Sequence, residues 1–481
     1  MNRRWILAID AGTTGVTVTR YDRRARPVAS ASRDFRQYFP QPGWVEHDPE
    51  EIWRVTMGLV RRVAPEPREV AAIGITNQRE TAVVWDRRDG RPVHRAIVWQ
   101  CRRTAAACER LRRAGAERLV RRRTGLVLDP YFSATKIRWI LDHAAKGRPL
   151  AFGTIDTWLL WKLTAGRAHL TDATNASRTL LFDIDRWRWD TDLLRLFGVP
   201  RGMLPEVRPS AGEFARTDPA VFGAEVPVTG VAGDQQAALF GQGCLARGSL
   251  KTTYGTGCFL VLNTGRRRVD SKNGLLTTLA CGAQGEPVYA LEGSVFSAGS
   301  AVQWLRDGLG LIRRASDVEA LARRAPSSGG VVFVPAFTGL GAPWWDADAR
   351  GAILGLTRGA GRAEIARACL ESIAFQARDV VRAMERDAGM RVREMRVDGG
   401  ATANDWLMQF QADVLGARIV RPRNIETTSL GAALLAGLGA GIWSAPPAPS
   451  TEKTFLPMMT ASARERLCVA WRAAVARVLT R

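Results

Sequence analysis

Three stretches of the chain put reactive side chains beside small, flexible residues. In Ile9-Asp10-Ala11-Gly12-Thr13-Thr14-Gly15-Val16-Thr17, an apolar, β-prone segment ends in an aspartate and a turn of glycine and threonine. Gly12 and Gly15 reach backbone angles closed to other residues, so the spacing predicts a tight hairpin. Such a turn gathers backbone N–H groups and the Thr13 and Thr14 hydroxyls into one concavity, a nest for phosphate oxygens. Asp10, at the end of the first strand, suits a hydrated Mg²⁺ beside those phosphates. Taken alone, the segment reads equally well as an ordinary hairpin with a capping aspartate.

The second stretch, Thr76-Asn77-Gln78-Arg79-Glu80, follows the apolar strand expected at Val70 to Ile75. Strand ends in open α/β sheets are where ligands bind. Arg79 and Glu80 together can hold neighbouring hydroxyls of a polyol, one donating and the other accepting; a surface ion pair is the competing reading. In the third stretch, Val228 to Ala232 delivers Gly233-Asp234-Gln235, a carboxylate at a strand end where a helix begins. Leu250 to Leu260 then repeats the opening logic, strand, Gly/Thr turn and strand, with Thr256 at its centre. A second such hairpin suggests a duplicated architecture whose two turns clamp phosphates from opposite sides of a cleft.

Around these stretches the pattern is α/β. A turn at Asp22 to Pro27 leads to a third strand, Val28 to Phe35, and a three-stranded meander differs from a Rossmann start, which enters a helix after strand one. Asp48-Pro49-Glu50-Glu51 opens a helix, with proline and acids where the positive end favours them. A strand is expected at Ala96 to Gln100, carrying Trp99 at its end. A loop running into a helix is expected at Tyr131 to Ile140 and again at Gly293 to Leu311. Gly361 to Gly389 reads as a long amphipathic core helix closed by Gly389.

Composition narrows the class. With 481 residues the chain exceeds what one core supports, so two domains are expected, at 1–243 and 244–481. No apolar run reaches membrane-spanning length, and the apolar stretch after Arg3 and Arg4 breaks at Asp10, too early for a signal peptide. Seven scattered cysteines without any Cys-x-x-Cys argue against a disulfide framework or zinc site and for a reducing cytoplasm. The net charge of +22 raises nucleic-acid binding, but the arginines spread over the whole chain and lysine is scarce. That pattern is a compositional bias, and no nucleic-acid partner or membrane insertion is expected.

Taken together, these stretches resemble the FGGY family of carbohydrate kinases over essentially the full length, and within it the members acting on glycerol. The resemblance is carried by Gly43 to Pro49, Ile75 to Glu80, Ile97 to Arg103, Gly233 to Phe240, Thr253 to Phe259, Pro335 to Trp344 and Val397 to Gly400. Tyr131 to Ile140 fits one family signature and Gly351 to Glu371 the other, with Cys369 where a different small residue is usual. It implies two actin-like (ribonuclease H-like) domains with an interdomain active-site cleft, and ATP-dependent phosphorylation of glycerol to sn-glycerol 3-phosphate with Mg²⁺. By position, Arg79, Glu80, Tyr131, Asp234 and Gln235 would bind glycerol, with Trp99 and Phe259 as walls and Asp234 as general base. Thr13, Thr14, Gly15, Thr17, Thr256, Gly299, Gln303, Gly400 and Asn404 would line the nucleotide, and Asp10 would serve Mg²⁺. A kinase of another polyol or ketose, or a catalytically weakened sensor, are the alternatives; homodimer and homotetramer both remain open.

Two departures stand out. Where the family carries small hydroxyl residues and then a phosphate-binding arginine, this chain has Gly15 and Thr17, and Arg20 is a candidate replacement. The Gly/Lys/Arg-rich loop through which bacterial relatives bind fructose 1,6-bisphosphate is replaced by Asp218 to Glu225. There is no Walker-type loop, so phosphate binding should rest on the hairpins.

Overall fold

Trp5–Ala11 is apolar on both faces, and both are covered: Ile6, Leu7, Ala8 and Ile9 are wholly buried. Such a strand belongs inside a sheet. It pairs antiparallel with Gly15–Tyr21 and parallel with Val70–Asn77. The structure, a computed structural model, describes residues 3–144 and 147–480. The chain forms two compact units, each drawn from three segments: Met1–Leu245, Thr277–Tyr289 and Thr427–Ala448 in the first, and Ala246–Leu276, Ala290–Glu426 and Pro449–Arg481 in the second.

The first unit carries a six-stranded sheet in the order Ala211–Arg216, Pro227–Gly233, Val70–Asn77, Trp5–Ala11, Gly15–Tyr21, Pro27–Asp34. The opening meander is present, and Pro227–Gly233 joins Val70–Asn77 in parallel. Helix Pro49–Val63 covers one face; Asp48 caps it by accepting from the Glu50 N–H, as the sequence pattern predicts. The other face is covered by Thr427–Gly439. That helix lies almost against the strand backbone, because a Cβ on Gly74 would overlap the Ala432 carbonyl and one on Gly431 the Ala237 carbonyl.

The second unit is built on a sheet that includes, in order, Cys258–Gly265, Leu250–Tyr254, Glu394–Asp398, Arg418–Pro422 and Thr451–Phe455. Leu250–Tyr254 is antiparallel to Cys258–Gly265 and parallel to Glu394–Asp398, which repeats the pairing of Trp5–Ala11. The expected duplication is therefore present in the sheet order. The long core helix is Arg362–Ala388, with Gly389 left-handed at its end and Cys369, Ile373, Ala377, Val381 and Met384 buried.

Two element boundaries differ from expectation. Only Ala96–Ile97 of the expected strand at 96–100 pairs, against Glu46–His47. Its backbone is then diverted, the Trp99 N–H donating to the Thr81 hydroxyl at 3.4 Å, so Trp99 sits in a turn. Gly293 belongs to the strand Pro287–Val295, and the helix begins at Gly299. Among the described residues no helix is long and apolar enough to cross a membrane. All seven cysteines are buried thiols.

Candidate active site

Three parallel strands of the first unit end along one edge. Asp10, Thr76 and Ala232 stand in one row of the register, and Ala11, Asn77 and Gly233 in the next. Each chain then leaves the sheet through a polar segment: Gly12 to Thr14, Gln78 to Thr81, and Asp234 at the start of helix Asp234–Gly241. The carboxyl ends of parallel strands thus bring together three stretches that are far apart in sequence.

Arg79 is 3% exposed and Glu80 1%, so they are not a surface ion pair. Arg79 Nε lies 3.2 Å from Asp234 Oδ1 and 3.8 Å from Glu80 Oε1, one guanidinium between two carboxylates. Its stem runs against Gly233, where a Cβ would come within 2.7 Å of Arg79 Cγ. Glu80 has a φ of +64°, a strained conformation for a residue with a side chain, held where the Ser133 hydroxyl donates to its carbonyl. Close by in the fold are two rings, Trp99 edge-on to Tyr131 with centroids 5.4 Å apart. Lys136 Nζ donates to the Tyr131 carbonyl at 2.6 Å and fixes that loop from beneath. Trp99, Tyr131, Asp234 and Gln235 remain half-buried and reachable. Charged donors and acceptors together with aromatic rings are the groups a small polyol needs, for its hydroxyls and its carbons respectively.

The sequence reading missed the support beneath this cluster, in Thr171-Asp172-Ala173-Thr174-Asn175-Ala176-Ser177-Arg178-Thr179. Arg178, fully buried, donates from Nε to Glu80 Oε1 at 2.6 Å, its guanidinium 5.3 Å from the Phe132 ring centroid and 5.7 Å from that of Tyr131. Asp172 accepts from the Thr174 and Asn175 N–H groups, and the Thr174 hydroxyl accepts from the Gly233 N–H at 2.9 Å, just before Asp234. Asn77 and Asn175 exchange amide hydrogen bonds at 3.0 and 3.1 Å. The signal was a run of small polar residues bounded by apolar ones, a composition that a solvated loop shares.

Below Asp172 lies Asp156, wholly buried; burial and the neighbouring Asp172 carboxylate push its pKa up to about 7. The unfolded carboxyl ionises near ~4, so across that window the folded chain keeps a proton the unfolded one has released. This contribution to stability is complete below that lower value and is lost as pH rises toward about 7. In thermal melts over this range, Asp156→Asn is expected to make Tm fall less with rising pH than in the parent. Parallel Tm profiles would refute the assignment.

The Gly12 to Thr14 turn is ordered by the first unit: Ala11 pairs with Val16, and the Phe35 N–H donates to the Thr14 carbonyl. Thr14 is exposed, and Thr13 accepts from Trp99 Nε1 at 3.0 Å. Thr17 pairs across from Asp10, its hydroxyl 2.8 Å from that of Ser32. Arg20 does not replace the missing arginine, because it stacks over Trp5, 4.8 Å from the ring centroid and well along the strand from the turn. Beside Asp10 in the register, the buried Thr76 hydroxyl has no hydrogen-bond partner among the described residues. Among those residues no group of three or more His, Cys, Asp or Glu is placed to hold a metal ion. One carboxylate beside a turn of backbone N–H groups is a donor set that Mg²⁺ can use, since it keeps waters and takes phosphate oxygens.

In the second unit the paired turn is Gly255-Thr256-Gly257, between Tyr254 and Cys258. It is stapled to helix Gly299–Asp307: the Gly299 N–H donates to the Gly255 carbonyl and the Ser300 N–H to the Thr256 carbonyl. A Cβ on Gly299 would lie 2.5 Å from the Gly255 carbonyl oxygen, and one on Gly399 the same distance from that of Tyr254. Thr256, Gly299 and Gly400 are thereby brought together, with the exposed Gln303 one helical turn beyond Gly299. Asn404 caps helix Asp405–Leu415 by accepting from the Leu407 N–H at 2.8 Å. Phe259 is half-buried on Cys258–Gly265, opposite Thr253.

With this geometry in place, likeness to known proteins is informative. Models of the N-terminal and C-terminal domains of the FGGY family of carbohydrate kinases match residues 5–241 and 250–440. A glycerol kinase of Carboxydothermus hydrogenoformans is 54% identical over 492 aligned residues, covering 99% of this chain and 98% of that protein. The crystal structure of Plasmodium falciparum glycerol kinase with ADP superposes with a TM-score of 0.93 at 36% identity, covering 100% of this chain and 99% of the other. A ligand-bound xylulose kinase from Lactobacillus acidophilus, 22% identical over 98% of both chains, shares the fold with a TM-score of 0.89.

Proposed function

We propose that this chain, which belongs to the FGGY family of carbohydrate kinases, phosphorylates glycerol with ATP to give sn-glycerol 3-phosphate and ADP. The observation that carries the reading is the cluster of Arg79, Glu80, Trp99, Tyr131 and Asp234 at one sheet edge, beside the phosphate turn. Arg79 and Glu80 take the vicinal hydroxyls, Trp99 and Tyr131 wall the carbons, and Gln235 adds an amide at the start of the helix. Asp234 accepts the proton of the terminal hydroxyl as that oxygen attacks the γ-phosphorus, while Arg79, 3.2 Å away, orients the carboxylate. Phosphoryl transfer asks mainly for alignment and charge neutralisation, which the turn's N–H groups and the Thr13 and Thr14 hydroxyls supply in this unit. Mg²⁺ held at Asp10 would neutralise charge on the phosphate oxygens. Within the second unit, Thr256, Gly299, Gln303, Gly400 and Asn404 are proposed to bind the nucleotide. This divides the labour between an N-terminal glycerol-and-phosphate domain and a C-terminal nucleotide domain. A cytoplasmic enzyme, assembled as a homodimer or homotetramer, completes the proposal.

A coupled ADP assay across glycerol, dihydroxyacetone, xylulose and ribulose tests it. Glycerol is expected to give the highest kcat/KM, and a ketose preference would overturn the substrate.

Thr17 favours the second reading, a weakened kinase, because no guanidinium stands in its row. Thr17→Arg restores one opposite Asp10 and is expected to lower the KM for ATP about tenfold, the size of a charge-assisted hydrogen bond. An unchanged KM would show that the contact is not needed. At Asp218 to Glu225 the chain instead forms a short helix, Pro219–Phe222, capped by Asp218, which also pairs with Arg167. Fructose 1,6-bisphosphate is accordingly expected to leave the initial rate unchanged, and clear inhibition would refute this.

A further inference from the structure

The Gly12-Thr13 turn is held from beneath. Gln78 Nε2 donates to the Gly12 carbonyl at 3.0 Å, and Gln37 Nε2 to the Thr13 carbonyl at 3.1 Å. One imidazole joins the two amides: Gln78 Nε2 also reaches His47 Nδ1 at 3.2 Å, and His47 Nε2 donates to Gln37 Oε1 at 2.6 Å. The flanks fix the polarity. Gln78 Oε1 accepts from the Thr81 hydroxyl at 2.9 Å, so its nitrogen faces the turn and His47. Gln37 Nε2 also reaches the Phe35 carbonyl at 3.4 Å, leaving its oxygen to the imidazole. His47 therefore carries its proton on Nε2. It is wholly buried, with Phe35 edge-on at 4.9 Å, and burial lowers its pKa to about 3, so it stays neutral.

The chain of bonds closes on the acceptor wall. The Thr81 hydroxyl accepts from the Trp99 N–H, and Trp99 Nε1 donates to the Thr13 hydroxyl at 3.0 Å. By accepting that bond, Thr13 keeps its own proton to give to a phosphate oxygen.

We infer that His47 is a positioning residue for the phosphate turn: it locks Gln78 and Gln37 onto the Gly12 and Thr13 carbonyls and links the turn to the Trp99 wall. This rests on the reading of the turn as a phosphate nest and of Trp99 as a polyol wall. With the carbonyls held inward, the turn's N–H groups face outward, where nucleotide phosphates would lie. The bridge needs one acceptor and one donor on a rigid frame, which a neutral imidazole supplies.

Two substitutions separate positioning from packing. His47→Phe keeps the ring and its contact with Phe35 but removes both polar links; His47→Gln returns one acceptor and one donor. Calorimetric titration with MgADP, with and without saturating glycerol, is read beside Tm and the KM for ATP. His47→Phe is expected to weaken MgADP binding about tenfold, raise the KM for ATP in step and abolish any gain in ADP affinity from glycerol. His47→Gln is expected to recover most of it. If His47→Phe lowers Tm while MgADP affinity and KM stay at parental values, the inference is overturned. Should His47→Phe fail to fold, Gln37→Leu removes one arm of the bridge, and parental MgADP affinity in that variant overturns the inference equally. MgADP binding is read without turnover, so a parent that binds MgADP but does not phosphorylate glycerol sinks the acceptor assignment alone.

Discussion

Asp234→Asn is expected to lower kcat for glycerol phosphorylation by about 10²- to 10⁴-fold, the range of a lost general base. Asparagine keeps the shape and can still hold the hydroxyl, so the KM for glycerol should change little. Asp234 begins its helix with the side chain 28% exposed, so neutralising it should cost little stability. Arg79 retains Glu80 as a second carboxylate neighbour. Steady-state kinetics with the melting curve of the same preparation decides the matter. An undiminished kcat would remove Asp234 from the chemistry, while a kcat loss matched by a loss of folded protein would make its role structural.

The second large effect concerns Arg178. Its guanidinium is fully buried and donates to a carboxylate that is itself 1% exposed. Breaking a buried pair from one side costs about 3–5 kcal/mol, and because Glu80 keeps Arg79 Nε at 3.8 Å the lower end of that range is expected. Arg178→Met is therefore expected to lower Tm sharply and, in the protein that folds, to raise the KM for glycerol about tenfold. Adding Glu80→Gln should recover part of the stability, since the buried carboxylate that has lost its nearer guanidinium is removed, yet leave glycerol binding weak. A double-mutant cycle reads both quantities. If the double variant is as unstable as Arg178→Met alone, packing against the Phe132 and Tyr131 rings, not the ion pair, is the larger part of the Arg178 contribution.

Much of this protein was written locally. The Gly12 to Gly15 and Gly255 to Gly257 turns, the Asp48 cap, the Gly389 stop and the apolar stripe of Arg362–Ala388 depend on neighbours within a few residues, so period and turn chemistry announce them. Glu80 was legible as a residue type but not as an environment: an Arg-Glu pair on a strand end reads as surface until Arg178 arrives from 98 positions away. The abrupt end of the strand at Ile97 was hidden for a similar reason, since the pull on the Trp99 backbone comes from Thr81.

Sequence by itself determined the family, the repeated strand–turn–strand units and the residue types at the strand ends, because these are properties of short segments and their order. Tertiary structure alone decided which polar groups share a site. Parallel pairing of Trp5–Ala11, Val70–Asn77 and Pro227–Gly233 sets Asp10, Arg79 and Asp234 along one edge. Burial then forces their supports, Arg178, Asp172 and His47, to be satisfied by partners distant in the chain, because a polar group removed from water must find its hydrogen bonds wherever the fold places them.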